Sequence, residues 1–486
     1  MNNPLEGPVV ARGALVAASR SASVLAAQEV EQALYEVRKK IYPRAVHGWF
    51  AGWRWSMVWL TQAIFYGLPW LEWNERQAVL FDLAARKFYI LGVVFWPQDF
   101  VYLAALLVIS ALALFLFTAV GGRLWCGYAC PQTVYTEIFM WVERRIEGDR
   151  GARMILDQAP LSARKLGLKS AKHFAWIAVA LWTGFTFVGY FTPIKVLWGE
   201  VAALATGPWE TFWILFYGFA TYGNAGWMRE QVCKYMCPYA RFQSAMFDRD
   251  TMIVTYDAAR GEPRGPRSRK ADPKALGVGD CVNCGLCVQV CPTGIDIRQG
   301  LQYECIGCAA CIDACNQVMG KFLYPAGLIR YSTENALARG WDLRTMVRHA
   351  FRARTLVYAG TLGVVTASLL VALYVRVPLK VDIVRDRASL AREVEGGRIE
   401  NVYRIQLMNT QETARTYRIS VSGLPGIDVA SETEVEVPAA TIRQVPLRVQ
   451  IDPGATAKGS HRIVVEVKAD DDERIAAREP AAFLVR

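Results

Sequence analysis

Histidine is scarce in this chain. Only His47, His173, His349 and His461 occur among 486 residues, and no two have ligand spacing. That argues against a b-type haem held between helices and against a histidine-containing zinc finger. No glycine-rich fingerprint precedes a helical pattern, which disfavours a bound flavin or nicotinamide nucleotide. The apolar stretch at residues 15–27 is broken by Arg20 and followed by Glu29 and Glu31, too interrupted for a signal-peptide core. Cysteine is absent beyond Cys315, so thiolate chemistry is confined to the first two thirds of the chain.

The cysteines that are present fall into two patterns. Cys281, Cys284, Cys287 and Cys291 have the spacing C-x2-C-x2-C-x3-C, and Cys305, Cys308, Cys311 and Cys315 repeat it. Three thiolates at i, i+3 and i+6 wrap one face of a cubane, and the fourth reaches the other cluster. The expected ligand sets are Cys281, Cys284, Cys287 and Cys315 for one [4Fe–4S] cluster, and Cys305, Cys308, Cys311 and Cys291 for the other. Structural zinc favours paired C-x2-C knuckles, and disulfides belong to oxidising compartments. Even triplet spacing without a nearby histidine favours a two-cluster ferredoxin in a reducing compartment. Pro292 follows Cys291, whereas Asn316 follows Cys315, a departure at one bridging ligand.

The second pattern is Cys126-Gly127-Tyr128-Ala129-Cys130-Pro131 and Cys233-Lys234-Tyr235-Met236-Cys237-Pro238, both C-x-Tyr-x-C-Pro. Each follows an even-numbered apolar run, which reads as an internal duplication. The proline biases the preceding cysteine away from the α region and suits the first position of a helix. Cys130 and Cys237 are therefore expected to cap helix N-termini, where the dipole favours thiolate. Arg123, Arg229 and Lys234 add positive charge. Four soft sulfurs on one face would suit Cu(I), with zinc or iron–sulfur as other occupants. The spacing leaves open whether they make one site or two.

Hydrophobic residues make up 53% of the chain, with 16 Trp and a formal charge of +11. Basic residues sit beside apolar runs, which points to a membrane protein rather than a nucleic-acid binder. Five runs approximate the ~20 residues that cross a bilayer: residues 55–71, 100–120, 174–191, 211–227 and 356–375. Residues 88–96 are apolar but are stopped by Pro97, which suggests an interfacial or re-entrant piece. Arg144, Arg145, Arg150 and Arg153 lie between the second and third runs, and Arg260, Arg264, Arg267 and Arg269 between the fourth and fifth. Between the third and fourth the basic residue is Lys195. The positive-inside rule then places the cluster segment in the cytoplasm and the C-terminus outside. His173 is expected to be interfacial. Asp99 is expected to cap a helix, with a quinone-site role as the alternative.

The domains follow. Residues 1–45 form a cytoplasmic arm, and 46–255 carry spans one to four with both C-x3-C-P motifs. A basic linker fills 256–279, the ferredoxin-like domain 280–330, and a linker with span five 331–378. Residues 379–486 change character, with short alternating runs such as Val402-Tyr403-Arg404-Ile405-Gln406-Leu407 separated by Pro425-Gly426 and Asp452-Pro453-Gly454. These predict a small antiparallel immunoglobulin-like sandwich, a structural or partner-binding module. The fold class is a multi-domain membrane protein: a five-span helical bundle, a cytoplasmic two-cluster domain and an all-β sandwich.

The chain resembles the FixG/RdxA/CcoG family, accessory proteins for assembly of cbb-type cytochrome c oxidase. The resemblance rests on Gly122-Arg123-Leu124-Trp125-Cys126-Gly127-Tyr128-Ala129-Cys130-Pro131-Gln132. It rests also on Arg229-Glu230-Gln231-Val232-Cys233-Lys234-Tyr235-Met236-Cys237-Pro238-Tyr239-Ala240-Arg241-Phe242-Gln243, on Asp257-Ala258-Ala259-Arg260-Gly261-Glu262-Pro263-Arg264-Gly265 and on Pro292-Thr293-Gly294-Ile295-Asp296-Ile297-Arg298. It implies a bacterial inner-membrane protein with five spans and a periplasmic immunoglobulin-like domain. It implies reduction of cytoplasmic Cu(II) to Cu(I), which passes to copper chaperones or transporters. Cys126, Cys130, Cys233 and Cys237 would be the copper site. A cytoplasmic electron donor and oxidase assembly factors are the implied partners, with no nucleic acid. A quinol-to-ferredoxin electron conduit and a non-enzymatic assembly scaffold are the rival readings.

Overall fold

The computed structural model describes residues 40–269, 276–385 and 391–485. Most of the expected N-terminal arm and Lys270 of the linker lie outside the described residues.

Among the described residues three helices are long and apolar enough to cross a membrane: Pro97–Gly121, Ala163–Val188 and Ala353–Tyr374. This corrects the expectation of five. The first expected span is the helix Trp49–Gly67, which begins earlier than the apolar run and carries a buried Arg54. The fourth is an α-helix only over Pro208–Thr221, 14 residues or about 21 Å at 1.5 Å per residue, short of a ~30 Å hydrocarbon core. Beyond Thr221 the backbone widens into π-helical turns at Tyr222–Met228 and Val232–Met236. Gly223, Asn224 and Gly226 are poor α-helix formers, which accounts for the change. Such π segments recur at functional sites.

Small residues set the helix packing. A Cβ on Gly184 would stand 2.2 Å from the Ile214 carbonyl oxygen, so the helices Ala163–Val188 and Pro208–Thr221 approach backbone to backbone. Helix Phe100–Gly121 runs beside Ala353–Tyr374, with Tyr102 donating to the Ala372 carbonyl at 3.4 Å. Residues 88–96 are no re-entrant piece. They belong to an antiparallel meander of Val79–Asp82, Lys87–Ile90 and Val93–Phe95, whose turns use Arg86 and Leu91 at positive φ.

The ferredoxin region is closed by strands Ile253–Tyr256 and Ile329–Ser332, paired antiparallel from Ile253 opposite Ser332 to Tyr256 opposite Ile329. Between them lie two cysteine loops, each followed by a helix, Leu286–Gln289 and Ala310–Phe322. The equivalent positions Asn283 and Gly307, and again Gly285 and Ala309, have positive φ. The sequence repeat is thus a repeat of backbone conformation.

The C-terminal domain is a two-sheet sandwich. One sheet runs Asp428–Val429, Ile442–Ile451, Ile399–Asn409, Leu379–Arg385, with Arg392–Glu393 also on Ile399–Asn409. The other runs Glu434–Val437, Arg415–Ser422, Gly459–Ala469, Ala476–Val485. Tyr403, Ile405 and Leu407 face Ile419, Val465 and Phe483 across a fully buried core, the inward half of the alternation read from the sequence. The fold is immunoglobulin-like. Asp99 fixes it to the membrane-length helices. Its carboxylate accepts from the Trp96 backbone N–H at 3.0 Å, pairs with Arg376 at 2.7 Å and also holds Lys380. Those bonds occupy Asp99 as a buried structural anchor, against the alternative of a quinone site there.

Candidate iron–sulfur and thiolate centre

The four cysteines of each expected cluster set line one cavity. Cys281, Cys284, Cys287 and Cys315 share a cavity with Tyr256, Leu286 and Arg298. Cys291, Cys305, Cys308 and Cys311 line a second with Val254, Ile295 and Ile306. The fourth cysteine of each half crosses to the other cavity. Four soft sulfurs in an apolar wall form the donor set a [4Fe–4S] cluster requires. Asn316 has a separate task, since its side-chain oxygen accepts from the Gly327 N–H at 2.9 Å and holds the turn before the closing strand.

The second loop is the more enclosed. Burial pushes the Cys305 thiol up to about 12, and Cys311 well above its usual range. In the first set burial raises Cys287 to about 11 and Cys315 to about 12. At neutral pH these groups are thiols until a metal displaces their protons.

The C-x3-C-P loops have the expected backbone. Cys130 (φ −60°, ψ 128°) precedes helix Pro131–Glu147, and Cys237 (φ −77°, ψ 108°) precedes helix Pro238–Met246. Four residues before the first cysteine of each motif stands a positive-φ residue, Gly122 in one and Arg229 in the other. The duplication therefore extends to the turns that deliver each motif. Gln132 ties the two together by donating to the carbonyls of Asn224 (2.9 Å) and Arg229 (3.1 Å).

At Cys126, Cys130 and Cys233 the electrostatics correct the expectation of easily formed thiolates. Burial raises Cys126 to about 11 and Cys233 to about 12. It raises Cys130 too, although N–H groups of Gln132 and Thr133 pull the other way. Desolvation outweighs the helix terminus. Cys126 and Cys233 each feel the charge of Cys130 and Cys237, so the two motifs converge. Cys126 donates to Gln243 Oε1 at 3.3 Å. Among the described residues no three His, Cys, Asp or Glu side chains stand close enough together to hold a single metal ion. The four sulfurs converge without forming a ready-made mononuclear site.

The C-x3-C-P loop sits directly on the second cysteine loop. A Cβ on Gly127 would fall 2.9 Å from the backbone N and Cα of Cys308. Gly307, at φ +68°, faces the Arg123 backbone, where a Cβ would meet it at 3.2 Å. Arg123, buried, donates to the carbonyls of Tyr303, Cys305 (3.3 Å) and Ala240. Arg54 donates to the Cys308 carbonyl at 3.0 Å and lies 3.6 Å from Glu137. Tyr331 donates to the Gly307 carbonyl at 2.6 Å. Cys126 and Cys233 pack against the apolar group of Ile306, Cys308 and Ala310. Asp313 completes the join by accepting from the first-turn N–H groups of Phe50 (3.3 Å) and Ala51 (2.7 Å) of helix Trp49–Gly67, a carboxylate at a helix N-terminus.

Arg54 and Asp313 were missed by sequence reading. Nothing but proximity in three dimensions singles them out. His349 stacks on Trp341 at 4.1 Å, and His461 bonds the Ala457 carbonyl, so neither reaches a cysteine. His173 lies in helix Ala163–Val188 against Tyr222 and Trp227.

The fold and these paired cavities define a ferredoxin-type iron–sulfur protein joined to membrane-length helices. A 4Fe–4S dicluster domain matches residues 228–334, a 4Fe–4S binding domain residues 103–148, and the immunoglobulin-like fold at the C-terminus of FixG residues 369–486. The chain is 41% identical to nitrogen fixation protein FixG of Rhizobium meliloti, covering 83% of each chain. It is 39% identical to protein RdxA of Cereibacter sphaeroides over 85% of this chain and 88% of that one, and 39% identical to RdxB of the same organism, over 84% and 87%. The chain belongs to the FixG/RdxA family, iron–sulfur redox proteins of electron transfer.

Proposed function

We propose that this protein reduces Cu(II) to Cu(I) at Cys126, Cys130, Cys233 and Cys237, on the cytoplasmic side of a bacterial inner membrane, for assembly of a cbb-type oxidase. Its resident cofactors would be two [4Fe–4S] clusters, one-electron carriers, on Cys281, Cys284, Cys287 and Cys315 and on Cys305, Cys308, Cys311 and Cys291. The observation that carries this reading is the seating of Gly127 against the backbone of Gly307 and Cys308. It sets the candidate copper thiols beside a cluster loop with no intervening side chain at that point. Soft thiolates bind Cu(I) better than Cu(II), so they stabilise the product and pull the reduction forward. The sulfurs need not preform a tetrahedral cage, because a site that releases its product to a chaperone or transporter is better served by movable ligands. On this reading the C-terminal sandwich lies in the periplasm, free to contact assembly factors.

The test is Cu(II) reduction by anaerobic protein, reduced chemically and freed of reductant. Cu(I) is followed with a selective chelator while cluster absorbance is recorded. Reoxidation of the clusters as Cu(I) appears, with loss of both in Cys130→Ser at unchanged iron content, is expected. Full activity in Cys130→Ser sinks the copper site.

A further inference from the structure

A cavity of about 420 Å³ lies beside the C-x3-C-P loops, lined by Ile41, Lys172, His173, Trp176, Trp227 and Glu230 among others. That is the size of a small-molecule site. We propose that it binds the headgroup of a membrane quinone and takes electrons from the quinol. The inference rests on the cluster assignment above and names the chemical class of the electron donor.

The walls are aromatic. The His173 ring lies parallel to Trp227, 5.7 Å apart at 16°, and edge-on to Trp176 at 5.2 Å. Tyr222 and His173 Nδ1 share a hydrogen bond at 3.0 Å. That contact fixes the imidazole and leaves Nε2 with no hydrogen-bond partner among the described residues. A planar ring with a carbonyl or hydroxyl at its edge suits such a wall, stacking on one side and hydrogen bonding at the rim.

The charges argue against an anion. Among the described residues every lysine and arginine lining the cavity is already in an ion pair: Lys172 with Glu147 at 3.1 Å, Arg229 with Glu143 at 2.6 Å, and Lys40 and Lys169 with Asp157 at 2.6 and 2.5 Å. A phosphate or carboxylate would have to break one of these pairs, whereas a neutral ligand would not. The setting favours a lipid-soluble one. Lys172 and His173 stand where the basic first turns of helix Ala163–Val188 give way to its apolar run, and the neighbouring Phe174 and Trp227 are 76% and 53% exposed. A basic and aromatic border of this kind marks a membrane interface. One wall is the π-helical segment Tyr222–Met228.

The cavity is also next to the cysteine loops. Ile41, in its wall, has Cδ1 2.7 Å from where a Cβ of Gly294 would be, three residues past Cys291. Glu230 is three residues before Cys233. In the step proposed, both O–H bonds of the quinol break and the ring becomes the quinone. Two electrons leave, one to each iron–sulfur centre. The two protons pass to His173 Nε2 and to the Glu230 carboxylate, and from there to water.

The experiment uses the full chain in detergent under anaerobic conditions. Binding is read with a short-chain benzoquinone by saturable quenching of tryptophan fluorescence, and its location by a photoreactive azido-quinone with peptide mapping. Saturable labelling of residues 172–176 or 222–230, competed by excess benzoquinone, is expected, with at least tenfold weaker binding in His173→Phe, which keeps the stacking ring. Quinol should also bleach the cluster absorbance in the absence of copper. Unsaturable labelling, labelling confined to other segments, or unchanged affinity in His173→Phe overturns the proposal. Copper reduction by chemically reduced wild-type protein bypasses the cavity. Its failure counts against the copper site alone, and absent quinone binding counts against the cavity alone.

Discussion

The two cysteine loops have the same spacing and the same backbone, yet different surroundings. In the first, Cys284 is exposed, and a Cβ on Gly285 would meet nothing within 4 Å. Its nearby cation, Arg298, is neutralised by Asp296 at 2.7 Å. In the second, Cys308 is buried, two arginines bind the carbonyls of Cys305 and Cys308, and the C-x3-C-P loop closes over Gly307. One half of a duplicated module is left facing solvent, and the other has become an internal joint. Identical ligand patterns can thus end up in an open and in an enclosed setting, depending on what packs against them.

Substitutions should break this difference in a graded way. The largest effect is expected from Cys308→Ser. It should lose about half of the iron, as any ligand loss would, and also expose residues 123–130 to protease. Cys284→Ser should lose the same iron without that exposure. Iron analysis and limited proteolysis, run side by side, distinguish the two.

Next come the glycines. Gly307→Ala combines a left-handed φ of +68° with a 3.2 Å approach to the Arg123 backbone. Gly285→Ala has the same kind of φ and open space around it. The second should cost about 1–2 kcal/mol, the left-handed penalty alone, and the first distinctly more. Gly127→Ala, aimed at the Cys308 backbone, should resemble Gly307→Ala. Denaturant midpoints of the cluster-loaded protein measure the ranking, and equal costs at 285 and 307 would remove the contrast.

Electrostatics gives a smaller effect. Buried Arg54 next to Cys308 favours the reduced, more negative state of whatever the second loop holds. A unit charge several ångströms away in an effective dielectric of about 20 is worth roughly 2 kcal/mol. Glu137 at 3.6 Å offsets part of that charge, so Arg54→Gln should lower one of two cluster potentials by on the order of tens of mV, and Arg298→Gln should move the other by less, because Asp296 holds it more closely, at 2.7 Å. Redox titration followed by electron paramagnetic resonance reads both.

The last expectation is a pH slope. Cys126 and Cys233 hold their protons at neutral pH, with values of about 11 and 12. Copper binding at the proposed site would have to displace them, so apparent affinity should rise with pH, roughly tenfold per unit for each thiol ionised. A flat affinity between pH 6 and 8 would mean that these thiols are not the ligands.

Much of this was legible in the sequence. Thiolate spacing is a local property, and so is the in–out alternation of strands such as Ile399–Asn409. The sandwich edges Leu379–Arg385 and Ala476–Val485 were less visible, as was the meander at residues 79–95, because apolar runs of that length suit strand, helix or membrane alike. The spans were over-counted because hydropathy does not register where an α-helix turns into π-helix, as it does after Thr221, or that Arg54 at a span's edge has a buried carbonyl to bind. The acidity of Cys130 runs opposite to the expectation for a related reason. The helix N-terminus can be read from Cys-Pro, but the depth of burial that overrides it cannot.

Asp313 ends one residue's side chain on the first turn of helix Trp49–Gly67 while lying between Cys311 and Cys315. That bond bolts the cluster-bearing segment to the helix beneath it. The ferredoxin half is then held to the helix by its own cysteine helix and not by the linker alone. On the proposed reading a redox partner comes to it, by diffusion in the surrounding solution or in the plane of the lipid.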